Sequence, residues 1–266
     1  MKICVLVKEV PDAAVDKRID PATGRLDRSG EKNLNPYDTH AIEAAMQIRE
    51  DEGNGVTVDE IVAVTMGPSG SEAALHKAVS LGADRSIHLS DDALAGSDVA
   101  ATGYALAKVL ETESPDLVLL GQQSDDGECY AIGAVVAEHL KMPSLSQVVK
   151  MDITGNGAKC ERQAEYGYDT ISIEFPAVIA VGDAINEPRY PSLKAIMGAK
   201  KKPLDVKSAA DVGIDTGKVG ASGSRVDCGD FKAPPAKEAG QIIEDEDTDA
   251  TVAQIVSWLE ERKLIA

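Results

Sequence analysis

Short, nearly unbroken apolar runs recur along the chain, each closed by a glycine, a proline or a polar turn and followed by a helical pattern. Ile3 to Val7 reads as a buried strand. Asp38 is placed to cap a helix through residues 39–49, with Ile42, Ala45, Met46 and Arg49 on one stripe. Glu60 to Thr65 is a second strand, ended by Met66-Gly67-Pro68. Ser71 to Leu81 is a helix closed by Gly82, which is free to take a left-handed C-cap conformation. Arg85 to Leu89 is a third strand, and Ser97 caps a helix over residues 98–111. Asp116 to Leu120 is a fourth strand, ended by Gly121; a helix over residues 132–140 follows, and Val178 to Val181 is a fifth strand.

Apolar strands alternating with helices imply an α/β fold whose parallel sheet is covered by helices on both faces. Ligands in such folds sit beyond the carboxyl ends of the strands, here the segments after Val7, Thr65, Leu120 and Val181. Two stretches break the pattern. Val148 to Ile153, a Gly155-Asn156-Gly157 turn, residues 159–162 and the alternating residues 169–175 read as a β-hairpin insertion. After Pro203 the chain becomes rich in Gly, Ser and Pro and ends in an amphipathic helix over residues 251–263, with Val252, Ile255, Val256 and Leu259 on one face. The expected organisation is an α/β domain over 1–203 and an arm over 204–266 whose helix folds back or wraps another subunit. No internal repeat is present.

Composition narrows the function. Aromatics make up 3% of the chain, so the core must be aliphatic. A net charge of −18 argues against nucleic acid, which needs a positive field. The acidic run from Glu244 to Asp249 reads as a solvated tail or helix lead-in. Cys4, Cys129, Cys160 and Cys228 are scattered, as are the four histidines, so no metal-ligand spacing appears. His40 and His76 read as solvent-edge helix residues. The N-terminus runs straight into a strand with no signal-peptide layout, and no apolar run approaches the roughly 20 residues of a membrane span. The expected location is cytoplasmic.

The strongest candidate site is Gly121 to Ala134. Gly127 permits close backbone approach, and the following helix offers unpaired N–H groups to a phosphate; a plain capped loop explains the same residues. The segment carries neither a Walker loop nor a Gly-x-Gly-x-x-Gly fingerprint. Asn35-Pro36-Tyr37-Asp38 is either a helix entry turn or an aromatic wall against a flat ligand. Met66-Gly67-Pro68 is either a turn or one wall of an adenine pocket. No nucleophile–base spacing emerges. Residues 182–202 end in Lys200-Lys201-Lys202 within an acidic chain, and this basic cluster points to a partner.

Several motifs in order resemble the beta (small) subunit of electron transfer flavoproteins: Val5 to Asp12, Asn35 to Asp38, Thr65 to Pro68, Leu81 to Asp84, Gly121 to Gly133 and Asn186 to Lys202. The resemblance implies a heterodimer with an alpha subunit, sharing the redox FAD that alpha mainly holds. It also implies that this chain binds an adenine nucleotide, AMP or a second FAD. Carried over residue by residue, the binders are Leu6, Asn35, Pro36, Tyr37, Asp38 and Met66. The set continues through Asp126, Gly127, Glu128, Cys129, Tyr130, Ala131, Ile132, Gly133, Ala134, Val135, Val136 and Ala137. Tyr37 would approach the alpha-bound flavin. Leu193 would be the apolar anchor of a recognition loop over about 184–202 that docks flavin dehydrogenases. Gly127 and the Asn35 to Asp38 turn resemble the electron-bifurcating members, which accept electrons from NADH and bind a second FAD; Cys129 and Tyr130 resemble neither type. Two other readings stand beside this one: a stand-alone nucleotide-hydrolysing or ligase-type enzyme, which would need a pyrophosphate loop where Lys8-Glu9-Val10-Pro11 stands, and a stand-alone adenine-nucleotide-binding module, against which the C-terminal arm and lysine-ended loop argue.

Overall fold

The structure is a computed structural model, and it describes residues 1–21, 23–226, 235, 240, 242–243 and 247–265. The chain begins with β1 (Lys2–Leu6). An excursion follows, carrying β2 (Glu9–Pro11), β3 (Ile19–Asp20), β4 (Arg25–Leu26) and β5 (Lys32–Leu34), which pair as small antiparallel ladders, β2 with β5 and β3 with β4. Strands and helices then alternate: α1 (Pro36–Glu50), β6 (Glu60–Met66), α2 (Glu72–Leu81), β7 (Arg85–Leu89), α3 (Val99–Glu113), β8 (Leu117–Gly121) and α4 (Ile132–Leu140). A meander of β9 (Ser144–Thr154), β10 (Gly157–Ala164) and β11 (Gly167–Glu174) leads into β12 (Ala177–Val181). The rest is α5 (Leu193–Ala199), β13 (Leu204–Lys207), the single turn α6 (Gly220–Gly223) and α7 (Thr248–Glu261).

One nine-stranded sheet runs β11-β10-β9-β12-β8-β1-β6-β7-β13, parallel from β9 to β13 and antiparallel through the meander. Alternation along each strand sends side chains to opposite faces. Ile3 and Val5, Ile61 and Ala63, and Leu117 and Leu119 face the layer made by α1 and α2. Cys4 and Leu6, Val62 and Val64, and Val118 and Leu120 face α3 and α4. Both faces are covered, so the strands carry unbroken apolar runs, and each fully buried Leu or Ile contributes about 1.5–3 kcal/mol. The expected α/β architecture is the observed one.

Several expectations need correcting. Asp38 does not cap α1. The N-cap position is Asn35, Pro36 opens the helix, and Asp38 lies buried in the first turn. The buried stripe of α1 is Ala41, Ile42, Ala44, Ala45 and Ile48, while Met46 is half-buried and Arg49 pairs with Asp84. Asp98, not Ser97, caps α3, accepting from the Ala101 N–H at 2.8 Å. The expected hairpin and its extension are present as a three-stranded meander, joined to the main sheet through β12. His40 is half-buried against Asn186 rather than free at the solvent edge.

The chain after Pro203 is also more structured than its composition suggests. Leu204–Lys207 adds a ninth strand beside β7, and Ala209, Val212, Ile214 and Val219 fill the core on the α3 face. The first compact unit is Met1–Phe231. The second unit, Lys232–Ala266, contains α7, capped by Asp247, with Val252, Ile255 and Val256 exposed and Arg262 stacked 4.1 Å from the Trp258 ring centroid. Cys228 and Glu244 to Glu246 of the acidic run lie outside the described residues. Among the described residues no helix is long and apolar enough to cross a membrane, and no cluster with metal-ligand character is present.

Candidate functional site

The chain leaves β1 toward β6 and β7 on one side and returns to β8 and β12 on the other. The carboxyl ends of β1 and β8 therefore flank the switch point, where doubly wound folds hold their ligands. Three segments meet there: Val7-Lys8 after β1, the first turn of α1, and Gly121 to Ser124 after β8.

Two buried polar residues, Asn35 and Asp38, tie these segments together. One carboxylate oxygen of Asp38 accepts from the Lys8 N–H at 2.8 Å. The other accepts from the Asn35 side-chain amide at 2.9 Å and from the Gly121 N–H at 3.2 Å. The Asn35 amide also donates to the Gln123 carbonyl at 2.9 Å, and its oxygen accepts from the Asp125 N–H at 3.1 Å. Gly121 must be glycine here, since a Cβ would lie 2.6 Å from the Tyr37 backbone carbon and 2.7 Å from Asp38 Oδ1. Burial pushes the Asp38 carboxyl up to about 7, against the pull of its three donors and Lys8. A buried acceptor removed from such a cluster leaves donors unsatisfied, at about 1–3 kcal/mol each.

Beyond this clamp the loop 124–126 is gripped by cations. Lys8 Nζ donates to Ser124 Oγ at 3.2 Å and to Asp126 Oδ1 at 2.7 Å. Arg28 reaches the other Asp126 oxygen at 2.5 Å, and Lys17 bonds the Asp125 carbonyl at 2.8 Å and its carboxylate at 3.1 Å. Burial alone would raise the Asp126 carboxyl; the charge and hydrogen bond of Lys8, with Ser124 and Arg28, outweigh it and hold the group down to about 2. Lys8, Lys17 and Arg28 are functional candidates that sequence reasoning missed as binders. Lys17 and Arg28 lie 108 and 98 residues from their partners, and no local signal marks them.

The loop then turns outward. Gly127, Glu128, Cys129 and Tyr130 are exposed, with Glu128 and Tyr130 at positive φ. α4 begins at Ile132, and its N-cap, Ala131, provides no side-chain acceptor to cap the first-turn N–H groups. Gly133 sits over the sheet end: a Cβ there would lie 3.4 Å from Leu120 and 3.6 Å from Ala180. Leu6 is buried at the end of β1, Met66 is half-buried at the end of β6, Pro36 is exposed and Tyr37 is half-buried. Ala131 and Ile132 are half-buried and Ala134 is exposed. The structure thus brings Asn35 and Asp38 together with the chain after β1 and the loop after β8. Val136 and Ala137 instead pack in the core with Leu6, and Val135 lies against Gly103 of α3, so their side chains serve packing.

A second region lies on the outer flank of α1. His40 Nδ1 and the Asn186 backbone oxygen are 3.1 Å apart, and the Asn186 side-chain amide donates to the His40 carbonyl at 3.0 Å. Arg189 forks onto Glu43 at 2.7 and 3.0 Å and onto Glu50 at 2.7 and 2.9 Å. Past this anchor the chain exposes apolar side chains: Tyr190 is 97% exposed, Leu193 73%, Met197 70% and Ile196 49%. Of the three lysines, Lys202 is committed internally, donating to the Ala83 carbonyl at 2.9 Å.

Strand order defines a doubly wound α/β chain whose switch point lies between β1 and β8. Residues 23–212 match the model of the electron transfer flavoprotein domain. The chain is 38% identical to the electron transfer flavoprotein subunit beta of Mycobacterium bovis, over 99% of each chain. It is equally similar, at 38% over the full length of both, to the subunit beta of Thermoanaerobacterium thermosaccharolyticum. It is 35% identical, again over the full length of both, to the caffeyl-CoA reductase-Etf complex subunit CarD of Acetobacterium woodii. The chain belongs to the electron transfer flavoprotein beta-subunit family.

Proposed function

We propose that this chain binds an adenine nucleotide in the switch-point crevice, pairs with an alpha subunit that holds the redox FAD, and docks flavin dehydrogenases through the segment around Leu193. The observation that carries the nucleotide reading is the Asn35–Asp38 clamp. It draws the ends of β1 and β8 and the start of α1 into one fixed wall beside the uncapped N-terminus of α4. Residues of that kind fit a phosphate ester: free backbone N–H groups favour the anion, and Gly127 leaves the backbone open to close approach. Met66, half-buried at the end of β6, supplies apolar surface there. Tyr37 presents a half-buried ring toward a shared flavin.

Bound FAD supplies the redox chemistry; the protein binds, orients and recognises. Asn35 and Asp38 fix the wall, the loop from Asp126 to Gly133 presents backbone donors, and Arg189 holds the docking segment at a set place on α1. The similarity to CarD of a caffeyl-CoA reductase-Etf complex favours the bifurcating variant, which would take NADH as donor and hold a second FAD in this crevice. The C-terminal helix, with its apolar stripe exposed, fits a segment that wraps the alpha subunit in the cytoplasm.

Co-expression with the alpha subunit, denaturation and chromatographic counting of released nucleotide tests the reading. One adenine nucleotide per dimer beyond the alpha-bound FAD is expected, and Gly127→Val, which crowds Ser124 Oγ, is expected to lose most of it. Unchanged occupancy in that variant places the nucleotide elsewhere.

A further inference from the structure

We propose that Glu43 and Glu50 of α1 are positioning residues for partner docking: through Arg189 they fix the segment around Leu193 in its docking pose before any partner arrives. The partner then meets a preformed apolar stripe of Leu193, Ile196 and Met197, for which it supplies an apolar groove. The inference rests on the docking reading of that segment and adds what sets its pose and how wide its contact is.

An acid on the outer flank of a surface helix has no need of burial, yet the Glu43 side chain is only 8% exposed. Arg189 covers it. One Glu43 oxygen accepts from the Arg189 backbone N–H at 3.2 Å and from Nε at 2.7 Å, and the other accepts from Nη2 at 3.0 Å. Glu50, about two turns further along the same flank, accepts from Nη1 at 2.7 Å and from Nη2 at 2.9 Å. About one turn before Glu43, His40 and Asn186 bond reciprocally. The track of His40, Glu43 and Glu50 therefore seats residues 186–189 in one register on α1. A forked guanidinium fixes direction as well as distance. Arg189 is 34% and Glu50 52% exposed, and pairs this open to water add little to stability. What the four guanidinium bonds supply is a geometry.

α5 cannot supply that geometry itself. It has 7 residues, too few to be helical alone, and Ala199 is its one buried residue. Leu193, Ile196 and Met197 stand exposed at positions i, i+3 and i+4, which is one stripe of the helix. Packing beneath that stripe is therefore slight, and the segment is held at its ends. Arg189 grips α1 before the helix, and Lys202 donates to the Ala83 carbonyl at 2.9 Å after it. Ser192 caps the helix, its Oγ accepting from the Ala195 N–H at 3.1 Å. An apolar stripe at this spacing is recognised by a hydrophobic groove. A stripe ordered only on contact loses part of its binding energy to that ordering; one already fixed does not.

The test uses the heterodimer and, as probe, a flavin dehydrogenase purified on its ability to reduce the wild-type heterodimer. Steady-state rates at varied heterodimer concentration give KM and kcat separately. Glu43→Gln combined with Glu50→Gln is expected to raise KM at least about fivefold, with kcat within about twofold of wild type and flavin content unchanged. Arg189→Lys keeps the charge but not the fork; it is expected to raise KM in the same way, and it replaces the glutamine pair should that variant fail to assemble. A second arm places the same substitutions in Leu193→Ala. With the anchor already gone, they are expected to add less than about twofold to KM. An unchanged KM in the Glu43, Glu50 and Arg189 variants overturns the inference and leaves the docking reading standing. A rise in KM that is equally large in the Leu193→Ala background also overturns it, since the acids then act away from the stripe. A KM unchanged by Leu193→Ala itself overturns the docking reading, and the inference with it.

Discussion

The two candidate regions stand on the same helix and are built in opposite ways. At its N-terminal end, α1 buries polar groups: Asn35 and Asp38 are almost wholly covered and spend nearly all their hydrogen-bonding capacity on three neighbouring segments. Along its outer flank it does the reverse. Glu43 and Glu50 hold Arg189 near the surface, and the segment beyond exposes Tyr190, Leu193 and Met197. Buried polar clusters fix geometry because a half-satisfied one is so costly. Exposed apolar clusters mark a surface meant to be covered. On the proposed function, the first region would hold a ligand in one pose and the second would meet a macromolecular partner.

The largest expected effect breaks the first region. Asp38→Ala strips the acceptor from Lys8 N–H, Gly121 N–H and the Asn35 amide at once. At about 1–3 kcal/mol per stranded donor, and with some relaxation and water entry, a loss of about 3 kcal/mol in stability is expected. Urea denaturation of the heterodimer measures it. A loss below about 1 kcal/mol would show that the clamp is not what organises the crevice.

The second region is expected to lose function with little loss of stability. Leu193 is mostly solvent-exposed and its neighbours Ile196 and Met197 are also out, so truncation removes little buried area. Interface energy concentrates in a few apolar anchors worth about 2 kcal/mol or more. Leu193→Ala should slow electron transfer from the dehydrogenase at least about tenfold, equivalent to about 1.4 kcal/mol, with an unchanged melting temperature and flavin content. A sharp drop in melting temperature with normal transfer per folded molecule would make Leu193 a folding residue and remove the contrast between the regions.

The sequence made these two regions unequally legible. Strand cores and their order along the chain followed from apolar runs, because burial on both faces writes itself into consecutive residues, as in Val118 to Leu120 and Ala177 to Val181. The Gly121 to Gly133 loop was locatable because it follows a strand and precedes a helix. The clamp was half seen: Asp38 looks like a cap in sequence, and only the approach of β1 and β8 turns it into a junction. Lys17 and Arg28 were invisible, since nothing local records a contact across about a hundred residues. The strand Leu204–Lys207 was missed for a related reason. Four residues with two lysine or aspartate side chains carry too little apolar signal, and the strand exists because β7 offers an open edge.

The smallest effect separates the regions by pH. Burial holds the Asp38 carboxyl near 7, above the roughly 3.9 of an unfolded chain, so between those values the folded state binds a proton that the unfolded state does not. Stability from this group is therefore fully present below about pH 4 and is lost as pH rises through about 7. Around pH 7 the group is half-titrated, so raising the pH from 6.5 to 7.5 is expected to cost about 0.7 kcal/mol. The Arg189–Glu50 pair contributes no such slope. The hydrogen bond from Arg189 holds the Glu50 carboxyl below its usual range, so that pair stays charged throughout the window and adds no slope. Urea midpoints at the two pH values, compared between wild type and Asp38→Asn, isolate the effect, because the amide cannot titrate. The asparagine variant should be less stable at both values but flatter between them. Equal slopes in the two proteins would mean that Asp38 stays ionised across the window, with its three N–H donors outweighing burial.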